Sequence, residues 1–152
     1  MDVLKKYLRR LEKRINPNLI FIKVVNNNDV KDLVIELNTI KQLYDKGIDA
    51  NSDSLGEYAP FTIREKLKKG QPTDRVTLKD TGEFYKSFRI KVDGDEIDIE
   101  ADTIKYDFDG AWDLLDIYGA DILGLTNNSM VKLIHKIKIE TERYFRKTIF
   151  EI

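Results

Sequence analysis

Tyr58–Phe88, YAPFTIREKLKKGQPTDRVTLKDTGEFYKSF, is the stretch on which the reading of this chain turns. It holds two of the three prolines. It also holds two helix-start patterns, Thr62-x-x-Glu65 and Asp80-x-x-Glu83. In a capping box the cap oxygen takes an orphan backbone N–H and the later carboxylate reaches back to the cap. Between them Gly70, Gln71, Pro72, Thr73 and Asp74 predict a loop, because Pro72 cannot extend a helix and disfavours the α region for Gln71. The stretch therefore reads as a short helix, an exposed loop, an apolar touch-down at Val76 and Leu78, a tight turn at Asp80-Thr81-Gly82, and a second short helix.

Downstream, Phe88–Val92 and Ile97–Ala101 alternate apolar and polar around Asp93-Gly94-Asp95-Glu96, which predicts a β-hairpin. Phe88, Ile90, Val92, Ile97, Ile99 and Ala101 take its core side. Arg89 and Lys91 stand outward, against Asp98 and Glu100. Asp109–Tyr118 reads as a short helix with Trp112, Leu115 and Ile117 inward, stopped by Gly119. Ile122–Leu125 reads as a brief extended segment whose Gly124 permits close backbone approach. Thr126 or Asn127 then caps a long helix, with Met130, Leu133, Ile134, Ile137, Tyr144, Phe145 and Ile149 at helical spacing.

Upstream, Asp2–Ile15 predicts an amphipathic helix with Leu4, Tyr7, Leu8, Leu11 and Ile15 on one face. That face is expected to dock on the domain, with partner binding as the rival. Leu19–Val25 and Leu33–Leu37, joined by Asn26-Asn27-Asn28-Asp29, suggest another hairpin, though a helix over the first run is the alternative. Thr39-x-x-Gln42 suggests a capped helix through Leu43 and Tyr44 that ends at Gly47. Asp49–Gly56 is small and polar, an exposed loop.

A length of 152 residues suits one domain, residues 1–152, with a helical and hairpin part (1–57), the motif-bearing segment (58–126) and a terminal helix (127–152). The expected class is α+β, a small antiparallel sheet packed by N-terminal and long C-terminal helices. The chain has no cysteine, which removes thiolate chemistry and Cys-based zinc sites. Its N-terminus mixes basic and apolar residues rather than presenting the apolar core of a signal peptide, and no apolar run suggests a membrane span. The net charge of −1 hides segregation. Met1–Arg14 has six Lys/Arg against two acids, Asp93–Asp121 eleven acids against Lys105, and Lys132–Lys147 six Lys/Arg against two Glu. Such blocks mark solvated or partner-facing surfaces.

Catalytic chemistry finds no anchor. His135, the single histidine, has no G-x-S-x-G serine to serve and no second histidine with which to hold a metal. Asp93, Asp95, Asp98, Asp107 and Asp109 offer oxygens to a cation but lack the spacing of an EF-hand loop. Lys69-Gly70-Gln71 is not a phosphate loop. Phe84, Tyr85 and Phe88 are expected in the core rather than as a base-stacking platform. No cofactor and no catalytic residue is assigned.

The central stretch and its sequel resemble the phage virion morphogenesis, or tail-completion, family, which is similar to the head–tail connector and neck proteins of long-tailed phages. The pattern runs through Ala59-Pro60-Phe61-Thr62, Lys66, Gly70, Leu78, Thr81, Gly82, Phe84 and Ser87. It closes with Tyr118-Gly119 and Ile122-Leu123-Gly124-Leu125-Thr126. Asp121 departs from it where the family often has Arg-Pro, as do Asn127 and Asn128 where acids are common. The resemblance implies a non-enzymatic virion protein, assembled in the bacterial cytoplasm, that forms a ring with copies of itself and meets other head or tail proteins. On that reading the loops Gly70–Arg75 and Asp49–Glu57 reach neighbouring subunits. The acidic hairpin faces a basic neighbour or a lumen through which DNA slides. No membrane and no specific nucleic acid is expected. A phage- or prophage-encoded regulatory module binding nucleic acid through its basic helices is the alternative.

Overall fold

The computed structural model describes residues 2–150. Its order is α1 (Asp2–Arg14), α2 (Pro17–Val25), α3 (Asn28–Glu36) running into a π-helical segment (Leu37–Tyr44), α4 (Pro60–Lys68), α5 (Glu83–Lys86), strands β1 (Arg89–Asp93), β2 (Glu96–Glu100), β3 (Ile104–Asp107) and β4 (Gly110–Asp113), α6 (Leu114–Tyr118), a 3-10 turn (Ala120–Ile122) and α7 (Asn127–Phe150). The class is α+β, with two separate two-stranded antiparallel sheets rather than one.

The hairpin expected over Leu19–Val25 and Leu33–Leu37 is instead a pair of helices. Asn16 caps α2, its Oδ1 accepting the N–H groups of Asn18 (3.0 Å) and Leu19 (3.4 Å), with Pro17 in the first turn, where its missing donor costs nothing. Asn27 Oδ1 likewise accepts the Asp29 N–H at 2.9 Å and starts α3. Ile20, Val24 and Val25 are buried as α2 packs against α7.

The Thr39/Gln42 capping box also does not form. The helix simply continues, and Thr39 Oγ1 donates to the Ile35 carbonyl one turn back at 2.7 Å. The wider winding shows in the Asp45 N–H, which reaches the Ile40 carbonyl five residues back at 2.8 Å. The helix stops before Gly47, as expected. There φ is +63° and a Cβ would stand 2.7 Å from the Val76 carbonyl oxygen, so glycine is needed twice over.

The β1–β2 hairpin holds the expected register, with Arg89 opposite Glu100 and Lys91 opposite Asp98. Arg89 bonds Glu100 at 3.0 Å and Asp102 at 3.1 Å. The helix expected over Asp109–Tyr118 is confined to Leu114–Tyr118, and its first residues belong to β4. Asp107 is the reason. Its Oδ1 accepts the N–H groups of Asp109 (2.9 Å) and Gly110 (3.1 Å), while Oδ2 accepts the Trp112 indole N–H (3.0 Å). These bonds close a tight turn that a helix cannot contain. Asp113 then caps α6 through the Leu115 N–H at 2.9 Å. Leu114, not Trp112, is the buried residue; Trp112 and Ile117 are exposed.

One core gathers Leu43, Phe84, Phe88, Leu114 and Ile122, with the Phe84 and Phe88 rings edge-on at 5.0 Å. A second gathers Val30, Val34, Leu37 and Leu133, and Ile99 of β2 packs against both. Helix α3 packs on β1 of the first sheet, and α7 packs on α2 and α3. Helix α1 forms as expected, but its apolar face is not docked: Leu4 is 64% and Leu8 48% exposed. The expectations for the Tyr7 and Leu11 side chains lie outside the described residues. In α7, Leu133 is buried but Met130 and Ile134 of the expected stripe are exposed, as is His135.

Candidate functional site: a locked loop beside an aromatic groove

Neither capping box of the central stretch forms. Pro60 occupies the first turn of α4 with Ala59 at the cap, which leaves Thr62 inside the helix. Gly82, at φ +90°, caps α5, and the Glu83 N–H is taken by Thr81 Oγ1 at 3.3 Å. Asp80 instead pairs with Lys69. At the far end of α4, Gly70 (φ +64°) makes a left-handed exit. The Gln71 N–H returns to the Lys66 carbonyl at 2.9 Å and the Gly70 N–H to Leu67 at 3.1 Å, which satisfies the last carbonyls of the helix.

Lys66 is 6% exposed and has no carboxylate partner among the described residues. Its ammonium donates to Gln71 Oε1 (3.0 Å) and to the Lys79 carbonyl (2.6 Å), and lies 4.7 Å from the centre of the Tyr58 ring. It thereby ties the beginning of the loop to its end. A buried ammonium is tolerable because hydrogen bonds and the ring face replace its water. Thr77, fully buried, is held from two sides. Tyr58 Oη accepts its N–H at 2.7 Å, and Tyr85 donates its hydroxyl to the Thr77 carbonyl. Burial pushes the Tyr85 phenol well above its ordinary value of 10, and that of Tyr118 upward as well. Between the two carbonyls that Tyr85 and Lys66 engage stands Leu78 at φ +55°, a left-handed conformation rare for a branched side chain. These contacts overcome that cost and turn the Leu78 side chain onto the Phe84 core.

The loop Gly70–Arg75 is therefore less open than expected. Gly70 and Asp74 are exposed, but Gln71, Pro72, Thr73 and Arg75 are half-buried, and Arg75 Nε donates to the Tyr44 carbonyl at 2.9 Å. The Asp49–Glu57 loop is open from Asn51 onward except at Leu55, and Asp49 Oδ1 organises it by accepting the N–H groups of Asn51 and Asp53. Ser87 joins the motif to the sheet, its hydroxyl donating to the Phe84 carbonyl and accepting the Asp102 N–H.

The closing motif is brought to the same core. Gly119 (φ +82°) ends α6 as expected, and Thr126 caps α7 by accepting the Ser129 N–H. Ile122–Leu125 is not extended but leaves a 3-10 turn as irregular chain, which needs partners for its backbone. Two amides of the π-helical segment supply them. Asn38 Nδ2 donates to the Ile122 carbonyl (3.0 Å), Gln42 Nε2 donates to the Gly124 carbonyl (2.9 Å), and Gln42 Oε1 accepts the Thr126 N–H (2.9 Å). Leu123 packs on the core, and Gly124 lies where a Cβ would come within 2.8 Å of Ala50 Cβ. Close approach was the expected role of this glycine.

Beside the locked loop an open groove of about 1060 Å³ runs between α4, residues 78–83 and the β3–β4 hairpin. Phe84, Leu114 and Tyr118 line it on the core side, with Phe61, Tyr106 and Trp112 among its exposed lining. Of its six carboxylates, Glu65 pairs with Lys68, Asp80 with Lys69 and Asp102 with Arg89, Asp107 holds its own turn, and Glu57 and Glu83 make no ion pair among the described residues. The groove thus offers aromatic faces and charged rims, the composition of a docking surface. Among the described residues no group of His, Asp or Glu is placed to hold a metal ion, and no helix is long and apolar enough to cross a membrane. No family model, no curated protein and no solved structure matches the chain.

Sequence reasoning missed the exposed aromatic hairpin and the Asn38/Gln42 pair. The first carried a signal in Tyr106, Phe108 and Trp112, and the second in two amides four residues apart, and so on one face of a helix.

Proposed function

We propose that this chain is a non-enzymatic structural protein of a phage or prophage virion that completes the tail or joins it to the head by assembling with copies of itself. One observation carries the reading. The two separate stretches that resemble the tail-completion family close on one another around Phe84, Leu114 and Ile122, and their glycines, the buried Lys66 and the left-handed Leu78 serve to fix loops in place rather than to build a reaction centre. Rigidly mounted loops are the usual carriers of protein contacts. The test is disruption of the gene in its phage or prophage, with electron microscopy of the lysate and mass spectrometry of purified wild-type particles. The expected result is unjoined heads and tails, and the protein among the virion components. Normal infectious particles from the disrupted strain would overturn the reading.

A second reading, a nucleic-acid-binding regulatory module, is favoured by one feature, the exposed cations of α1. It predicts affinity for duplex DNA that falls steeply with salt, whereas the assembly reading predicts none.

A further inference from the structure

Two surfaces stand without partners among the described residues, and they are complementary. On α1, Leu4 and Leu8 share a face one turn apart and are 64% and 48% exposed, and Val3 beside Leu4 is 83% exposed. Lys5, Lys6, Arg9, Arg10 and Lys13 are exposed with them and make no ion pair among the described residues. On the β3–β4 hairpin, Tyr106 is 81% exposed, Ile104 46% and Trp112 39%, and Phe108 at the turn is fully open. Asp107, Asp109, Asp113 and Asp116 accompany them. Of the eleven acids between Asp93 and Asp121, only Glu100 and Asp102 enter ion pairs among the described residues, both with Arg89. Exposed aromatic patches rimmed by charge mark interaction surfaces, and opposite potentials on two such surfaces select them for each other.

We propose that α1 of one copy seats on the β3–β4 hairpin of a second copy, Leu4 and Leu8 against Tyr106 and Phe108, with the α1 cations facing the hairpin's aspartates. The inference rests on the assembly reading and deepens it by naming the contact. DNA or an acidic protein would answer the charge of α1 but leave the aromatic hairpin uncovered; a second copy covers both. Because the two surfaces differ, one contact leaves a hairpin free on the first copy and a helix free on the second, and in the assembly proposed here these engage further copies head-to-tail. Each copy offers a helix to one neighbour and a hairpin to another, and such contacts close into rings or extend as filaments.

The test uses the full chain with two variants, Leu4→Asp/Leu8→Asp and Tyr106→Ser/Phe108→Ser. All four side chains are exposed, so both variants keep the wild-type circular dichroism and melting temperature. In sedimentation velocity the wild type forms concentration-dependent oligomers at low salt, with affinity falling about tenfold or more by ~0.5 M salt. Each variant alone sediments as a monomer. An equimolar mixture gives a one-to-one heterodimer and nothing larger, since one intact helix and one intact hairpin remain between them. If the wild type and both variants assemble alike, the contact lies elsewhere; this proposal falls while the assembly reading stands. A wild type that stays monomeric up to ~100 μM, well above ordinary interface affinities, overturns the proposal, and virion composition then decides the assembly reading separately. Salt-sensitive binding of duplex DNA by α1 without self-association also overturns it.

Discussion

Replacing Gln42 with methionine isolates what holds the closing motif in place. Gln42 is 1% exposed, and methionine keeps its unbranched shape and nearly its volume, so packing is little disturbed. The substitution removes both amide bonds, to the Gly124 carbonyl and from the Thr126 N–H, each 2.9 Å long. A buried backbone group stranded without a partner costs about 1–3 kcal/mol. Thr126 is 5% exposed and takes the full penalty, while the half-buried Gly124 can recruit water and sits at the low end. The expected loss is about 2–4 kcal/mol, a large share of the ~5–15 kcal/mol typical of a domain. Equilibrium urea unfolding measures it, as a midpoint lowered by ~1–2 M at unchanged slope, and hydrogen exchange at the Thr126 amide should quicken. Thr39→Val is the control. Its hydroxyl bonds only within its own helix, so about 1 kcal/mol or less is expected. A loss below ~1 kcal/mol for Gln42→Met, or equal losses for the two variants, would refute the assignment of the amide as the lock.

Gly124→Ala should destabilise by about 1–3 kcal/mol through the clash with Ala50 Cβ, and Ala50→Gly should recover most of that in a thermal-melt double-mutant cycle; additive losses would deny the contact. Gly47→Ala should cost more than Gly70→Ala, since both need positive φ but only Gly47 has a backbone oxygen where the methyl would go, a ranking that urea midpoints test directly. The hydrogen bond from Lys136, with Arg143 alongside, holds the Glu140 carboxyl below its ordinary 4.5. Its contribution is therefore present above about pH 4.5 and lost as pH falls through the depressed value. Glu140→Gln should be less stable than the wild type at neutral pH, and the two melting curves should converge in acid. The Tyr85 phenol is raised, so its contribution is complete below pH 10 and lost as pH climbs beyond it. Of the seven tyrosines, it should ionise only with unfolding, and Tyr85→Phe should shrink the absorbance step that accompanies alkaline unfolding.

The β1–β2 hairpin was legible because alternation over five-residue strands with one charged face has few other solutions. Leu19–Val25 was not, since a short continuous apolar run satisfies a buried strand and a buried helix equally. Asn16-Pro17 held the answer, but the pair that stops α1 also starts α2, and only the second role makes Leu19–Val25 helical. Asp109–Tyr118 misled because its apolar spacing suits a helix, while the deciding bonds come from Asp107, just outside it. Within the site, the glycines at 47, 70, 82, 119 and 124 were readable as turns, stops or close approaches. Neither the burial of Lys66 nor the left-handed Leu78 could be read, because both depend on Tyr58, Thr77 and Tyr85 meeting in space. The docking expected for α1 failed for a simple reason: amphipathicity says that a face wants a partner, not that the partner is in the same chain.

The widened helical turns of Leu37–Tyr44 have a consequence for the length of the chain. A π-helical turn holds one residue more than its α counterpart, so it behaves as a stored insertion. Deleting Leu37 would let the segment rewind as α-helix and leave the residues past Tyr44 near their present bearing, yet turn Asn38 back by roughly 100° about the axis, off the Ile122 carbonyl. It would also empty the place of Leu37 in the core beside Leu133. Shortening by one residue here should harm the protein more than trimming several from the Asn51–Glu57 loop, so tolerance to deletion along this chain follows what each residue reaches rather than the number of residues lost.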